Sequence, residues 1–453
     1  LFKKIDAWIL YLTFVLSIIF AISFGVLVRQ ELVGYQKFGI ISKSALFLAE
    51  MPYNLKRIYE HFTIPASHEF TIHNAKYANK PTFKKFISTH RNELLLLPRY
   101  NSDWERNVVD IVDLNDFSVL HTFKPDIDLI NSKTDATREE YKVLLRGKNK
   151  RYFFWNPLIT EDGDLIFHSD SPLVKIDFCG NLLWVNDEAP FHHSNNIDHE
   201  GNYWAPSRKF PFAVDKNLVG EEFQNYHDDA VTKISPDGKI LLQKSVSEIL
   251  INSGYKFLLF SQQNYLGDPI HLNDIEPVLS DGPYWKQGDV FLSLRNLSMV
   301  IHYRPSTDKA INIIYGDFYN QHDVDIISDK EVSIFNNNIF FTNKGRRILS
   351  NSEVVVYNFE TKKFYQKFAK SMQVNDIQST EHGLNEILSD GSMLVEERDH
   401  GRILMFNPNG KLEWEFVNKD KNGKIHYMWW TRIINSEVSL KLRQKIKNTT
   451  CSN

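Results

Sequence analysis

The stretch Gly391-Ser-Met-Leu-Val-Glu-Glu-Arg398, Gly401-Arg-Ile-Leu-Met-Phe406 and Asn407-Pro-Asn-Gly410-Lys-Leu-Glu-Trp414 alternates short apolar runs with glycine and asparagine turns. It reads as three antiparallel strands joined by tight turns. The same text recurs at Gly163-Asp-Leu-Ile-Phe167, Leu173-Val-Lys-Ile-Asp-Phe178 and Gly180-Asn-Leu-Leu-Trp184, and again at Gly288 and from Lys233 to Leu242 around the Pro236-Asp237-Gly238 turn. Extending each copy backwards adds one strand, and five such strands align on Ile159, Ile197, Ile275, Ile326 and Ile387. Their separations, 38, 78, 51 and 61 residues, suit units of about 40–50 residues with insertions. Leu94 to Leu97, Val108 to Val112 and Phe117 to Phe123 supply a weaker sixth copy. The expectation is an all-β, six-bladed β-propeller with the first strand of each blade lining the channel.

That register makes a chemical statement. Four residues before each aligned isoleucine stand Trp155, His193, His271, His322 and Gly383, so three imidazoles are expected at one step of consecutive inner strands. Seven residues past the glycine that opens the second strand come Asp170, Arg208, Arg295 and Arg398. Imidazoles and guanidiniums together attract an oxyanion such as sulfate or phosphate. Three other readings stand beside this one: hydrogen-bonded core histidines, arginines closing onto blade-edge carboxylates, and a three-histidine metal site. His192, His199, His382 and His400 fall outside the register and receive no role.

Outside the repeats, Ala7 to Val28 carries no charge and is long enough to cross a bilayer as a helix. Lys3 and Lys4 precede it, which orients the N-terminus to the cytoplasm and the remainder outward. Residues 1–30 are therefore expected to be a transmembrane anchor, 31–84 a helical juxtamembrane linker, 85–432 the propeller and 433–453 a tail. Within the linker, Leu46, Phe47, Ala49, Met51, Leu55, Ile58 and Tyr59 predict an amphipathic helix interrupted near Pro52. The aromatic group Tyr427 to Trp430 reads either as a closing strand before a surface helix or as an interaction patch.

The 453 residues hold 53 Lys and Arg against 56 Asp and Glu, a net charge of -3, so no global basic field draws nucleic acid. Two cysteines, Cys179 and Cys451, exclude thiolate-rich zinc sites. With Cys179 in a blade turn and 272 residues between the two, no bridge is expected.

His271-Leu-Asn273-Asp-Ile, Gly288-Asp-Val-Phe-Leu-Ser-Leu-Arg295-Asn-Leu-Ser298, Gln321-His322-Asp-Val-Asp and Asn336-Asn-Asn338 follow one another on successive blades. In that order they resemble the bacterial arylsulfate sulfotransferase family, over roughly Phe154 to Val417. The resemblance implies an exported or membrane-anchored six-bladed propeller that moves a sulfuryl group from an aryl sulfate to a phenol, with no cofactor and no metal. It implies His322 as the transiently sulfated nucleophile, and His271, Asn273 and Arg295 as the sulfate-binding and acid–base set. His193 corresponds to an earlier channel histidine, and Arg208 and Arg398 complete the expected oxyanion contacts. Asp323 stands where the family usually has a small or hydroxyl residue, and must turn away for an anion to approach. The expected location is the inner membrane, single-pass, with the propeller in the periplasm. The alternative is a catalytically inactive propeller serving as a binding or assembly subunit of a membrane complex.

Overall fold

Strands of period-two alternation place apolar side chains on both faces, and blades stack by burying both. Along Glu331–Asn336, Val332 and Ile334 join one apolar cluster and Phe335 joins the next. The computed structural model describes residues 4–32, 37–135, 137–138, 150–169, 172–219, 226–261, 266–343, 345–348 and 350–451; Asp170 lies outside them.

Five four-stranded antiparallel sheets and one of five strands form a six-bladed propeller. Blade 1 is Arg432–Ile434, Leu94–Asn101, Arg106–Asp113 and Val119–Phe123, and blade 2 is Leu158–Ile159, Leu165–Phe167, Leu173–Ile176 and Leu182–Asn186. Blade 3 is Asn196–Ile197, Tyr203–Arg208, Asp229–Ile234 and Ile240–Ser245; blade 4 is Leu272–Pro277, Val290–Leu294, Met299–Arg304 and Lys309–Ile314. Blade 5 is His322–Ile326, Glu331–Asn336, Glu353–Asn358 and Lys363–Lys367, with a hairpin (Ile339–Thr342 and Gly345–Ile348) inserted between its second and third strands. Blade 6 is Leu384–Ile387, Met393–Glu397, Arg402–Phe406 and Leu412–Val417.

All five aligned isoleucines lie on the first strands of blades 2 to 6. Blade 1 takes its inner strand from the other end of the repeat region, Arg432–Ile434 pairing with Leu94–Leu96. Phe83–Lys85 adds a fifth strand to blade 6, so the ring is closed twice. Trp429 and Trp430 are buried at this closure, which excludes the interaction-patch reading of the aromatic group.

Each blade interface has its own apolar cluster. Examples are Val231 and Trp204 against Ile275 and Leu292 between blades 3 and 4, and Phe335 and Val354 against Met393 and Val395 between blades 5 and 6. Carboxylates also join neighbouring blades. Asp229 accepts from Leu272 N at 2.7 Å, Asp274 from Val324 N at 2.8 Å, Asp323 from Asn385 N at 2.9 Å and Glu386 from Ile433 N at 2.8 Å. Asp323 therefore spends an oxygen on the next blade's backbone. Asp274, Glu276, Asp323, Asp325 and Glu386 line an axial cavity of about 250 Å³ that Arg432 enters.

The C-terminal helix, Ser436–Asn448, lays Val438 and Leu442 on blades 1 and 2. It delivers Cys451 to the Phe178–Gly180 turn, where Cys451 bonds Cys179 with the Cα atoms 5.2 Å apart. The expectation of no bridge is corrected: sequence distance says nothing about spatial distance once the helix packs back along blade 2.

The remaining chain forms a separate compact unit, Leu1–Glu69, distinct from Phe70–Asn453. Helix α1 (Ala7–Leu32) is long and apolar enough to cross a membrane, and none of its residues is buried. Helix α2 (Ile40–Thr63) runs through Pro52 without the expected interruption. Proline removes one backbone donor and crowds the preceding turn, a local cost that the flanking turns of this 24-residue helix absorb.

Candidate functional site

Just before the innermost strand of every blade the chain passes through a residue of positive φ: Asn156, His193, His271, Asn320, His382 and Trp430, with φ from 31° to 62°. Non-glycine residues enter this region at a cost of roughly 1 kcal/mol or more. Six recurrences at one mouth mean that the turn is built into the repeat. It sets the side chains of successive blades into a common cluster.

The histidines form an arc. Ring centroids of His271 and His193 are 5.0 Å apart, those of His193 and His382 6.2 Å, and those of His382 and His322 5.5 Å. Trp155 stacks on His193 at 5.4 Å and meets His382 at 4.6 Å, while Trp430 closes on His322 at 6.0 Å. His193, His271 and His322 thus come together. His382 is the member that the sequence register misses. Blade 6 has Gly383 in the histidine column, and a Cβ there would lie 2.5 Å from Phe335 Cε1. The imidazole sits one residue earlier; a histidine adjoining the column's glycine was the available signal.

His322 is 1 % exposed, whereas His193, His271 and His382 are partly exposed. Its Nδ1 lies 2.7 Å from Asn337 Oδ1. Asn337 donates its amide hydrogens to the carbonyls of His382 (2.6 Å) and Ser379 (2.8 Å). The amide is thereby locked with oxygen toward His322, so Nδ1–H donates and Nε2 carries the lone pair. Burial, then the charge of Arg295, holds His322 well below the usual histidine range, in its neutral form. Burial and Arg398 do the same for His382, and burial with the neighbouring imidazoles does so for His193.

His271 is held by a carboxylate. Its Nδ1–H donates to Asp268 Oδ2 at 2.6 Å, and His227 Nδ1 lies 3.7 Å from the same oxygen. Burial pushes the Asp268 carboxyl up, but the neighbouring imidazoles of His227 and His271 outweigh it and keep the group below the carboxylate range. The ionised Asp268 therefore orients His271 with Nε2 directed away from it. The sequence reading gave no role to Asp268, nor to Asn337 although it stands within the quoted Asn336-Asn-Asn338 stretch; neither lies in the repeated columns.

Arg208, Arg295 and Arg398 stand at the end of the second strand of blades 3, 4 and 6. Arg295 N bonds His271 O at 3.1 Å and its guanidinium donates to Asn296 at 3.0 Å. The Arg398 guanidinium lies over Tyr427 and Trp429, 4.4 and 4.6 Å from the ring centroids. Nε of Arg208 and of Arg398 is buried without a hydrogen-bond partner. Asn273 is fully buried and donates to Gln321 O at 2.9 Å, tying the His271 strand to the His322 strand. Among the described residues, no group of three or more His, Cys, Asp or Glu is arranged to hold a metal ion. Imidazoles, guanidiniums and aromatic rings together offer an aromatic oxyanion both donors for its oxygens and surfaces for its ring.

The family profile described as arylsulfotransferase (ASST) matches residues 156–419. No curated protein matches the chain. Among solved structures, a protein of unknown function from Bacteroides caccae is similar at 11% identity, covering 76% of this chain and 99% of its own, with a TM-score of 0.48. Virginiamycin B lyase from Staphylococcus aureus, in a catalytically inactive form with quinupristin, is similar at 10% identity over 73% of this chain and 87% of its own, with a TM-score of 0.38. Kuenenia stuttgartiensis hydrazine synthase is similar at 10% identity over 67% and 71%, with a TM-score of 0.39.

Proposed function

As the chain belongs to the arylsulfotransferase family, we propose that it moves a sulfuryl group from an aryl sulfate to a phenolic acceptor through a sulfated His322. One observation carries this reading: a buried neutral imidazole whose Nδ1–H is fixed by Asn337, beside the cationic Arg295.

The donor's sulfur is attacked in line by Nε2 of His322. The N–S bond forms as the S–O(aryl) bond breaks, and the leaving electron pair goes to the phenolate oxygen. Arg295, with Arg208 and Arg398, stabilises charge on the sulfuryl oxygens. His271, protonated at Nε2 and supported by Asp268, gives its proton to the departing phenolate. In the second half, neutral His271 removes the proton of the incoming phenol, whose oxygen attacks sulfur and releases His322. His193 extends the imidazole arc between His271 and His382. Asn273 acts by holding the two strands in register. Asp323, committed to Asn385 N, does not oppose the anion.

The Cys179–Cys451 bridge suits an oxidising compartment. With α1 as an anchor in the bilayer and Lys3 and Lys4 ahead of it, the propeller lies in the periplasm on this reading. Steady-state kinetics with a chromogenic aryl sulfate and a phenol test it. Parallel double-reciprocal lines and loss of turnover in His322→Ala are expected; undiminished turnover in that variant overturns it. A silent binding propeller would show no turnover in the wild type.

A further inference from the structure

The hairpin inserted in blade 5 carries Arg346, whose Nη1 lies 2.6 Å from Glu381 Oε1. Glu381 immediately precedes His382. Burial pushes its carboxyl up, but Arg346, then Arg398 and Arg295, outweigh burial and hold it below the carboxylate range. Arg295 in turn feels both the attraction of Glu381 and the repulsion of Arg346. Three guanidiniums, from blades 4, 5 and 6, are thus close enough to act on one carboxylate. Arg295 also acts on His322, and both Arg295 and Arg398 act on His382, so the same charges face the imidazole arc.

A carboxylate and a sulfate ester present the same chemistry to such a set: negative oxygens that accept from planar guanidinium forks. Without substrate, like charges held together need counter-anions: Asp399 lies 3.7 Å from Arg398 Nη1, Asp268 acts on Arg295, and Glu381 is the carboxylate that all three guanidiniums share. The side chains of Glu381 and Arg346 are 43% and 36% exposed, so the carboxylate can swing into solvent while the blades stay packed.

We propose that Glu381 is an internal counter-anion that the sulfate ester displaces, freeing Arg346 to join Arg295 and Arg398 around the sulfate oxygens. Arg346 and Glu381 are then specificity residues for a compact oxyanion, and the return of Glu381 favours departure of the anion after transfer. The proposal rests on the sulfuryl-transfer reading of the histidine cluster.

Calorimetric titration of the full chain in detergent with inorganic sulfate separates the two ideas. Glu381→Gln should bind sulfate about three- to tenfold tighter than wild type at low salt, with the gain shrinking as salt rises. Arg346→Ala should bind it more weakly by a similar factor. A merely structural ion pair would move both variants in one direction. Unchanged or weaker binding by Glu381→Gln, where wild type binds sulfate and Arg295→Ala loses it, overturns this proposal and leaves the transfer reading standing. No sulfate binding by either wild type or Glu381→Gln, or binding indifferent to Arg295→Ala, overturns both.

Discussion

Asn337 is where the proposed chemistry and the fold meet, and replacing it separates them. The side chain is fully buried, accepts from His322 and donates to two carbonyls of the following inner-strand turn. Asn337→Ala leaves each of those buried groups short of a partner, at about 1–3 kcal/mol apiece in stability. During attack, positive charge develops on the imidazole and the Asn337 bond becomes charge-assisted. Its loss, about 1.5–3 kcal/mol, lowers kcat by about 10- to 100-fold. KM should change little, because the bond strengthens only as the N–S bond forms. Asn337→Asp keeps an acceptor but adds a negative charge that favours the imidazolium, so the acid limb of the kcat/KM profile should move up by about one pH unit or more. The assay is release of a coloured phenolate across pH, with thermal melting to establish that each variant is folded. A folded Asn337→Ala with kcat within about twofold of wild type would refute the role assigned to His322 Nδ1.

Asp268→Asn should slow transfer from aryl sulfates with poor, high-pKa leaving groups by about 100-fold or more while sparing activated ones; equal loss across a leaving-group series would contradict general acid catalysis by His271. Burial raises the Glu386 carboxyl to about 7, so its folded-state contribution is full below the ordinary carboxylate range and is lost as pH rises through about 7. Glu386→Gln should therefore match wild type near pH 5 and melt higher at pH 8, and a lower melting point at pH 8 would reverse that sign. Cys451→Ser opens a loop of 272 residues, removing roughly 5 kcal/mol on the chain-entropy scale, or about 6 °C in a unit of this size; an unchanged melting temperature would show that the bridge does not constrain the unfolded chain.

The isoleucine column was legible because inner strands share one turn, so five of the six blades and the positions of His193, His271 and His322 follow from spacing, while the sixth blade rested on a weaker copy of the strand pattern. What stayed hidden depends on contacts between distant segments. The inner strand of blade 1 lies more than 300 residues from its neighbour, Arg432–Ile434 against Leu94–Leu96. His382 left its column because Phe335 crowds Gly383. Asp323 read as an electrostatic obstacle until the next blade's Asn385 N claimed its oxygen. The bridge partner of Cys179 is brought in by a helix whose docking surface is assembled from two blades.

The central claim is a covalent sulfur–nitrogen bond on one imidazole. Protein mixed with an excess of aryl sulfate, without acceptor, and quenched in base within one turnover should yield a peptide containing His322 heavier by one sulfuryl group, and the adduct should disappear on addition of a phenol. A sulfuryl group on His193, His271 or His382 instead, or no adduct while aryl sulfate is consumed, would contradict the assignment of His322.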